Sequence, residues 1–249
     1  MTKELSGKVA IVTGAGRNIG RAIALALAEA GAAVVVNVRT NFSEGRAVAG
    51  EIEQAGGKAL AVAADVADAA AVQKMVRAAV ERFGGIDILI NNAAVRLEQA
   101  FEGMTLEQWR AVTSIILDGA FICAQACLPY LKRSGTGVIV NIGGLSAFTG
   151  AARRPHVVAA KAGLTGFTRA LAHDLAPDRI RVNTVTPGLI GRPRPAGEPL
   201  PQHHAFVHPL AGHRGEPTDI AAAVRFLCGP GAGFITGQNL QVNGGAYLG

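Results

Sequence analysis

From one end of the chain to the other, short unbroken apolar runs alternate with longer stretches in which apolar residues recur at helical spacing. The runs predict strands at Lys8 to Val12, Ala33 to Val38, Ala59 to Ala63, Ile86 to Asn91, Val138 to Ile142, Ile180 to Val185 and Asn239 to Val242. The helical patterns cover Ile19 to Ala30 and then residues 43–55, 68–83, 105–133, 157–175 and 217–228. Strands that read as continuous apolar runs are buried on both faces, and strict β/α alternation supplies helices for both. The pattern predicts an α/β chain: one doubly wound parallel sheet over residues 1–249, with no linker or internal repeat to divide it.

One stretch breaks the alternation. Gly191 to Gly215 holds Pro193, Pro195, Pro199, Pro201 and Pro209 with His203, His204, His208 and His213. Prolines at that density prevent a continuous helix, so residues 191–215 are expected to form a long loop or lid beside the carboxyl end of the sheet, where ligands bind. No acid or cysteine completes a metal-ligand spacing with these histidines, and solvated lid histidines are the expectation.

Composition narrows the picture. The chain has 249 residues, 49% of them hydrophobic and 17% charged, enough apolar mass for a full-sized core and too much for disorder. Cys123, Cys127 and Cys228 show no paired spacing and read as packing residues rather than a disulfide framework. The first residues carry no secretory pattern, and no uncharged apolar run reaches the roughly 18 residues that cross a bilayer. A cytoplasmic protein without a membrane partner is expected. The net charge of +6 raises the question of nucleic acid, but the arginines are scattered and not interleaved with aromatics, so no nucleic-acid partner is expected.

The chemistry begins after the first strand, at Thr13-Gly14-Ala15-Gly16-Arg17-Asn18-Ile19-Gly20, which runs straight into a helix. Glycines here let backbone approach a pyrophosphate, and unpartnered amides at the helix N-terminus face its charge. In an alternating β/α chain this is a dinucleotide site and makes the fold Rossmann-like. Strand two of such a site ordinarily ends in an acid for the adenosine ribose. Here no acid lies between Glu29 and Glu44, and the strand ends in Val38-Arg39. With Arg17 as a second cation, NADP(H) is expected over NAD(H); two solvated surface arginines are the plainer reading.

These residues resemble the short-chain dehydrogenase/reductase family over nearly the whole chain. Thr13 to Gly20 is similar to its T-G-x-x-x-G-x-G turn, with Asn18 at the middle glycine, a residue that tolerates positive φ. Asp65-Val66 matches its adenine-contacting pair, Asn91-Asn92-Ala93-Ala94 its N-N-A-G segment, and Pro187-Gly188 the turn that brings backbone to the nicotinamide, with Arg192 where threonine is frequent. Thr236-Gly237-Gln238 and Val242-Asn243-Gly244-Gly245 resemble its C-terminal segment. The resemblance implies cofactor contacts from Gly14, Gly16, Arg17, Asn18, Ile19, Gly20, Arg39, Asp65, Val66, Asn91, Ala93, Lys161, Pro187, Gly188 and Ile190, a small-molecule substrate, and a homo-oligomer, tetramer or dimer.

The catalytic pattern departs from the family's. Its lysine is present as Lys161, but the tyrosine four residues earlier is Val157, the serine position is Gly144 and the long-helix asparagine position is Ile116. Neither Tyr130 nor Tyr247 falls where the proton donor belongs. Carbonyl reduction leaves an alkoxide, and a positioned acid for it is worth about 10² to 10⁴ in rate. Arg153, Arg154 and His156 stand just before Val157: either His156 is a replacement acid and the arginines hold a polar or anionic substrate, or the pair is a solvated loop and His156 packs at the helix start. Three functions stay open. They are an NADP(H)-dependent oxidoreductase of non-standard mechanism, an inactive NADP(H)-binding sensor or partner subunit, and a non-redox lyase or isomerase.

Overall fold

A computed structural model describes residues 3–191 and 207–249. Seven strands, β1 (Val9–Val12), β2 (Ala33–Val38), β3 (Lys58–Ala63), β4 (Ile88–Asn91), β5 (Val138–Ile142), β6 (Arg181–Pro187) and β7 (Asn239–Val242), form one parallel sheet in the order β3-β2-β1-β4-β5-β6-β7. All seven predicted strands are present, and the chain is one α/β unit of the doubly wound type. Every residue of β1, β2, β4 and β5 is buried, whereas the edge strands β3 and β7 are partly exposed. That is why the central strands read as unbroken apolar runs.

The helices are α1 (Asn18–Glu29), α2 (Phe42–Gln54), α3 (Ala69–Phe83), α4 (Leu106–Thr113), α5 (Gly119–Ser134), α6 (Ser146–Thr149), α7 (Pro155–Asp174) and α8 (Pro217–Cys228). Strand pleating splits the core into two layers. Ala10, Val12, Val34, Val36, Ile88 and Ile90 meet Ile23 and Leu27 of α1 and Val224 and Leu227 of α8 on one face. Ile11, Val35, Leu89 and Ile139 meet Met75 and Val76 of α3 and Cys123, Cys127 and Leu131 of α5 on the other. The three cysteines are buried and unpaired, and burial pushes the Cys123 and Cys228 thiols up to about 12.

Several boundaries differ from expectation by a residue or two, and three of the differences have clear local reasons. α7 begins at Pro155, two residues early, because proline's fixed φ suits a first helical position. β4 begins at Ile88 because the Asp87 carboxylate turns back to accept from the Val9 amide (2.9 Å) and from Lys8 Nζ (3.2 Å). The helix expected over 105–133 is α4 and α5 joined by a π-helical segment, Ser114–Asp118, with Ile116 at its centre. Leu106–Ser134 is long and apolar enough to cross a membrane, with a mean hydropathy of 1.7, but half of that window is buried against the protein. It is a core helix. Of the proline-rich stretch, residues 192–206 lie outside the described residues, and with them Arg192, Arg194, Pro193, Pro195, Pro199, Pro201, His203 and His204. Its two ends are tied together: the Gly191 amide donates to Gly215 O (2.7 Å) and the Gly215 amide to Leu189 O (3.1 Å).

Candidate functional site

Strand order reverses between β1 and β4, and the crevice beyond their carboxyl ends is where a doubly wound sheet places a ligand. The turn from β1 into α1 lines it. Gly14 has φ 62 and Asn18 φ 49, so both occupy the left-handed region, the second without a glycine. Gly20 has no alternative: a Cβ there would lie 2.3 Å from Gly14 O and 2.9 Å from Ala15 Cα. The α1 N-terminus has no side-chain cap, and the amides of Asn18, Ile19 and Gly20 have no acceptor among the described residues. A turn with open donors and a glycine at its tightest approach fits a dinucleotide pyrophosphate.

Polar side chains lock this turn from both sides. Thr13 Oγ1 donates to Ile90 O (3.2 Å) and accepts from the amides of Asn92 (2.9 Å) and Ala93 (3.0 Å). Asn92 Nδ2 donates to Thr13 O (2.8 Å) and Gly14 O (3.1 Å). Asn37, fully buried in β2, accepts from the Gly14 amide (3.3 Å) and donates to Ala64 O (3.0 Å). Asp65 accepts from the Ala67 amide (3.0 Å), and buried Val66 packs against Gly119. Arg17 and Arg39 are both exposed and form no ion pair among the described residues. Beside them Glu44, in the first turn of α2, reaches over the glycine turn, its Oε2 3.2 Å from where a Gly16 Cβ would stand.

Across the crevice, β5, α6 and α7 build a different kind of site. Lys161 is 8% exposed and its Nζ donates to Ile142 O at the end of β5. Burial, then the charges of Arg96 and Arg154, bring its pKa down from 10.5 to about 7. Val157 and Ile116 are both buried and pack together with Val112, Ala120, Ala160 and Leu164. At Gly144 an added Cβ would meet only the stem of Lys161, at 3.7 Å. His156 is fully buried; its Nδ1 accepts from the Val157 amide (3.0 Å), and its Nε2 has no partner among the described residues. Burial holds its pKa below the usual 6.5, against a hydrogen bond to the Arg154 backbone that raises it and with the Arg154 charge again lowering it. Arg154 is 9% exposed, while Arg153 is exposed with φ 60 and its carbonyl accepts from the Gln99 amide (2.8 Å).

The family model described as enoyl-(acyl carrier protein) reductase matches residues 14–247. The 3-oxoacyl-[acyl-carrier-protein] reductase of Synechocystis is 40% identical over 248 residues, 98% of each chain, and the enzyme of that name from Staphylococcus aureus is 39% identical over 243 residues, 97% of this chain and 98% of its own. A dehydrogenase/reductase from Sinorhizobium meliloti superposes with a TM-score of 0.92 at 36% identity, covering 99% of this chain and 98% of its own. A variant of a Serratia marcescens short-chain dehydrogenase/reductase gives 0.91 at 36%, covering 98% and 100%. The chain belongs to the short-chain dehydrogenase/reductase family.

The residues that the resemblance assigns within this short-chain dehydrogenase/reductase divide into groups. Gly14, Gly16, Arg17, Asn18, Ile19 and Gly20 form one continuous turn, tied through Thr13 to Asn92 and Ala93. Asn91, by contrast, donates to Asn141 Oδ1 (2.9 Å) in a buried chain that continues through Thr168 (2.8 Å) to Thr184 (2.7 Å), so its side chain braces β4, β5, α7 and β6. Pro187 ends β6, and Gly188 is packed so tightly on the C-terminal segment that a Cβ would lie 2.6 Å from Asn243 Cα. Ile190 pairs across to Gly215. Arg96 is the residue that sequence reasoning missed: it lies two positions beyond Asn91-Asn92-Ala93-Ala94 and acts on Lys161. A cation in the loop after the switch-point strand was the available signal.

Proposed function

We propose that the chain is an NADP(H)-dependent oxidoreductase that acts on a polar or anionic small molecule with a proton-handling site built without the family's tyrosine, serine and asparagine. One observation carries the cofactor reading: an uncapped α1 N-terminus with open amides, flanked by Arg17 and Arg39. When bound, the reduced nicotinamide supplies a hydride; Gly14 to Gly20 hold the pyrophosphate and the two arginines face the 2′-phosphate. Charge-assisted bonds of this kind are worth about 1.5–3 kcal/mol. Titration by NADPH fluorescence is expected to show binding at least tenfold tighter than NADH, and Arg17→Ala with Arg39→Ala to remove the preference. Glu44 favours the NAD(H) alternative, because a carboxylate beside Gly16 suits ribose hydroxyls and repels a phosphate. Equal or tighter NADH binding decides for it.

The apolar packing of Val157 against Ile116 favours the second function, a nucleotide-binding subunit that does not turn over. Single-turnover loss of NADPH absorbance with any oxo compound excludes that function, and substrate conversion without it points to lyase or isomerase chemistry. Two separate apolar faces support a homo-oligomer: a groove of about 600 Å³ along α5 and α7 lined by Leu117, Phe121 and Phe167, and the exposed Phe226, Phe234 and Leu240 near β7. Two faces suit a tetramer of dihedral symmetry. Light scattering is expected to give four copies, and Phe121→Arg to halve them.

A further inference from the structure

Beyond the apolar layer to which Leu89, Ile139 and Val182 belong, the sheet changes character toward its carboxyl end. Two residues further along the same strands, and therefore on the same face, stand Asn91, Asn141 and Thr184, which are register partners across β4, β5 and β6. All three are buried, as is Thr168, which α7 brings to them. The row is continuous. Asn91 Nδ2 donates to Asn141 Oδ1 (2.9 Å), Asn141 Nδ2 donates to Thr168 Oγ1 (2.8 Å), and the Thr168 and Thr184 hydroxyls share a bond of 2.7 Å. Burying polar groups costs free energy that such bonds recover with little surplus, so the row adds little stability over an apolar one of the same shape. Its distinct contribution is direction.

Apolar packing holds α7 against the sheet, but it is non-directional and defines the helix's rotation and slide less sharply. Among the described residues only two side chains of α7 bond to the sheet: Thr168, to Asn141 and Thr184, and Lys161, whose Nζ donates to Ile142 O. They stand seven residues, about two turns, apart and so share one helix face. Their partners on β5, Asn141 and Ile142, are consecutive. We propose that Asn141 and Thr168 are positioning residues, whose bond sets α7 on β5 so that Lys161 reaches the main chain at the end of that strand. The proposal rests on the oxidoreductase reading above, in which Lys161 belongs to the site, and assigns the side chains that hold it there.

The residue types follow from the task. Asn141 accepts through one atom and donates through another, so it joins the switch-point strand β4 to α7, which a leucine of similar shape cannot do. Thr168 accepts from Asn141 while its hydroxyl also meets Thr184, so one side chain ties the helix to β5 and β6 together. A rotation that turned Thr168 off the row would leave a buried amide and a buried hydroxyl unpaired, which the interior penalises. Because one helix face bears both residues, the same rotation would carry Lys161 away from Ile142 O.

The test reads Lys161 directly and needs neither cofactor nor substrate. Full-length protein with isotopically labelled lysine Cε carbons is titrated by NMR, the Lys161 signal being assigned by its absence from Lys161→Met. Burial, the largest influence on this amine, brings its midpoint from 10.5 to about 7. Thr168→Val keeps the side-chain shape and removes the hydroxyl; it is expected to release the amine toward water and raise the midpoint above about 8. Thr168→Ser keeps the hydroxyl and is expected to leave the midpoint in place. Asn141→Val, a good strand former, breaks the same bond from the β5 side and is expected to act as Thr168→Val does, so the proposal stays testable if one of the two fails to fold. Thr184→Val spares the bond between Asn141 and Thr168 and is expected to leave Lys161 unchanged. A folded Thr168→Val with the wild-type midpoint overturns the proposal, because the hydroxyl then serves stability alone. Thr168→Ser shifting the midpoint as far as Thr168→Val overturns it too, because packing of the methyl group is then the cause. Failure of the wild-type protein to bind NADPH or NADH, measured separately by fluorescence, overturns the oxidoreductase reading instead, so the two failures are distinct.

Discussion

The two walls of the crevice follow different physical rules. On the β1–α1 wall, function belongs to backbone: open amides at a helix start, a glycine with no room for a methyl group, and a threonine and two asparagines whose every bond goes to main chain. The β5–α7 wall offers side chains instead, and at 116, 144 and 157 these are Ile, Gly and Val, which carry no proton donor, on a complete set of strands and helices. Backbone chemistry tolerates almost no substitution because the fold itself is the reagent. Side-chain chemistry can be rebuilt on an unchanged frame.

The comparison is broken most forcefully by restoring the second wall. Gly144→Ser places its Cβ in ordinary contact with Lys161, at 3.7 Å, whereas Val157→Tyr must enlarge a closely packed apolar cluster at a cost of about 1–3 kcal/mol. If the frame is unchanged, the double variant gains about 10² to 10⁴ in reduction of neutral ketones, the usual worth of a positioned acid. Folded double variant with no gain shows that the pocket, and not the acid alone, has been rebuilt; circular dichroism and a thermal melt establish that it is folded.

The first wall is tested by the smallest substitution available. Gly20→Ala puts a methyl 2.3 Å from a carbonyl oxygen of the same turn, so backbone must shift and the open amides with it. NADPH affinity is expected to fall about 100-fold, from loss of charge-assisted bonds. Thr13→Val sharpens the point from the polar side. It removes a hydroxyl that donates once and accepts twice, leaving buried main-chain groups unpaired, and is expected to lower unfolding free energy in urea by about 1–3 kcal/mol.

The difference between the walls also governs what the sequence discloses. All seven strands were legible, because buried parallel strands have no other way to read, and the glycine turn was legible because its requirement is local. That Val157, Gly144 and Ile116 stand where the family pattern has its donors is an expectation drawn from laying that pattern over the chain. The charge around Lys161 was not legible there. Arg96 and Lys161 lie 65 positions apart in the chain, and their interaction exists only because β4 and β5 are neighbours. The π-helical segment at Ile116 left no mark either, since the stretch Leu106–Ser134 is apolar enough for a local change of period to pass without a visible break.

The smallest effect isolates Lys161 itself. Its folded pKa, about 7, lies below the unfolded value of 10.5, so between these values the unfolded chain binds the extra proton and stability rises with pH. The penalty is fully present below pH 7 and fades toward pH 10.5. Cys123 and Cys228 act in the opposite sense above pH 9, where their thiols stay protonated only in the folded state, so the window to measure is pH 7 to 8.5. His156 does not interfere: its pKa is held below 6.5, and its contribution to the pH dependence lies on the acid side of the window. Over that window the Lys161 contribution is at most about 1.4 kcal/mol per pH unit. Urea unfolding at pH 7 and 8.5 is therefore expected to show a rise in stability that Lys161→Met abolishes, whatever that variant does to stability at a single pH. An unchanged slope would mean that Lys161 keeps its full charge beside Arg96 and Arg154, and that the second wall is as fixed in its chemistry as the first.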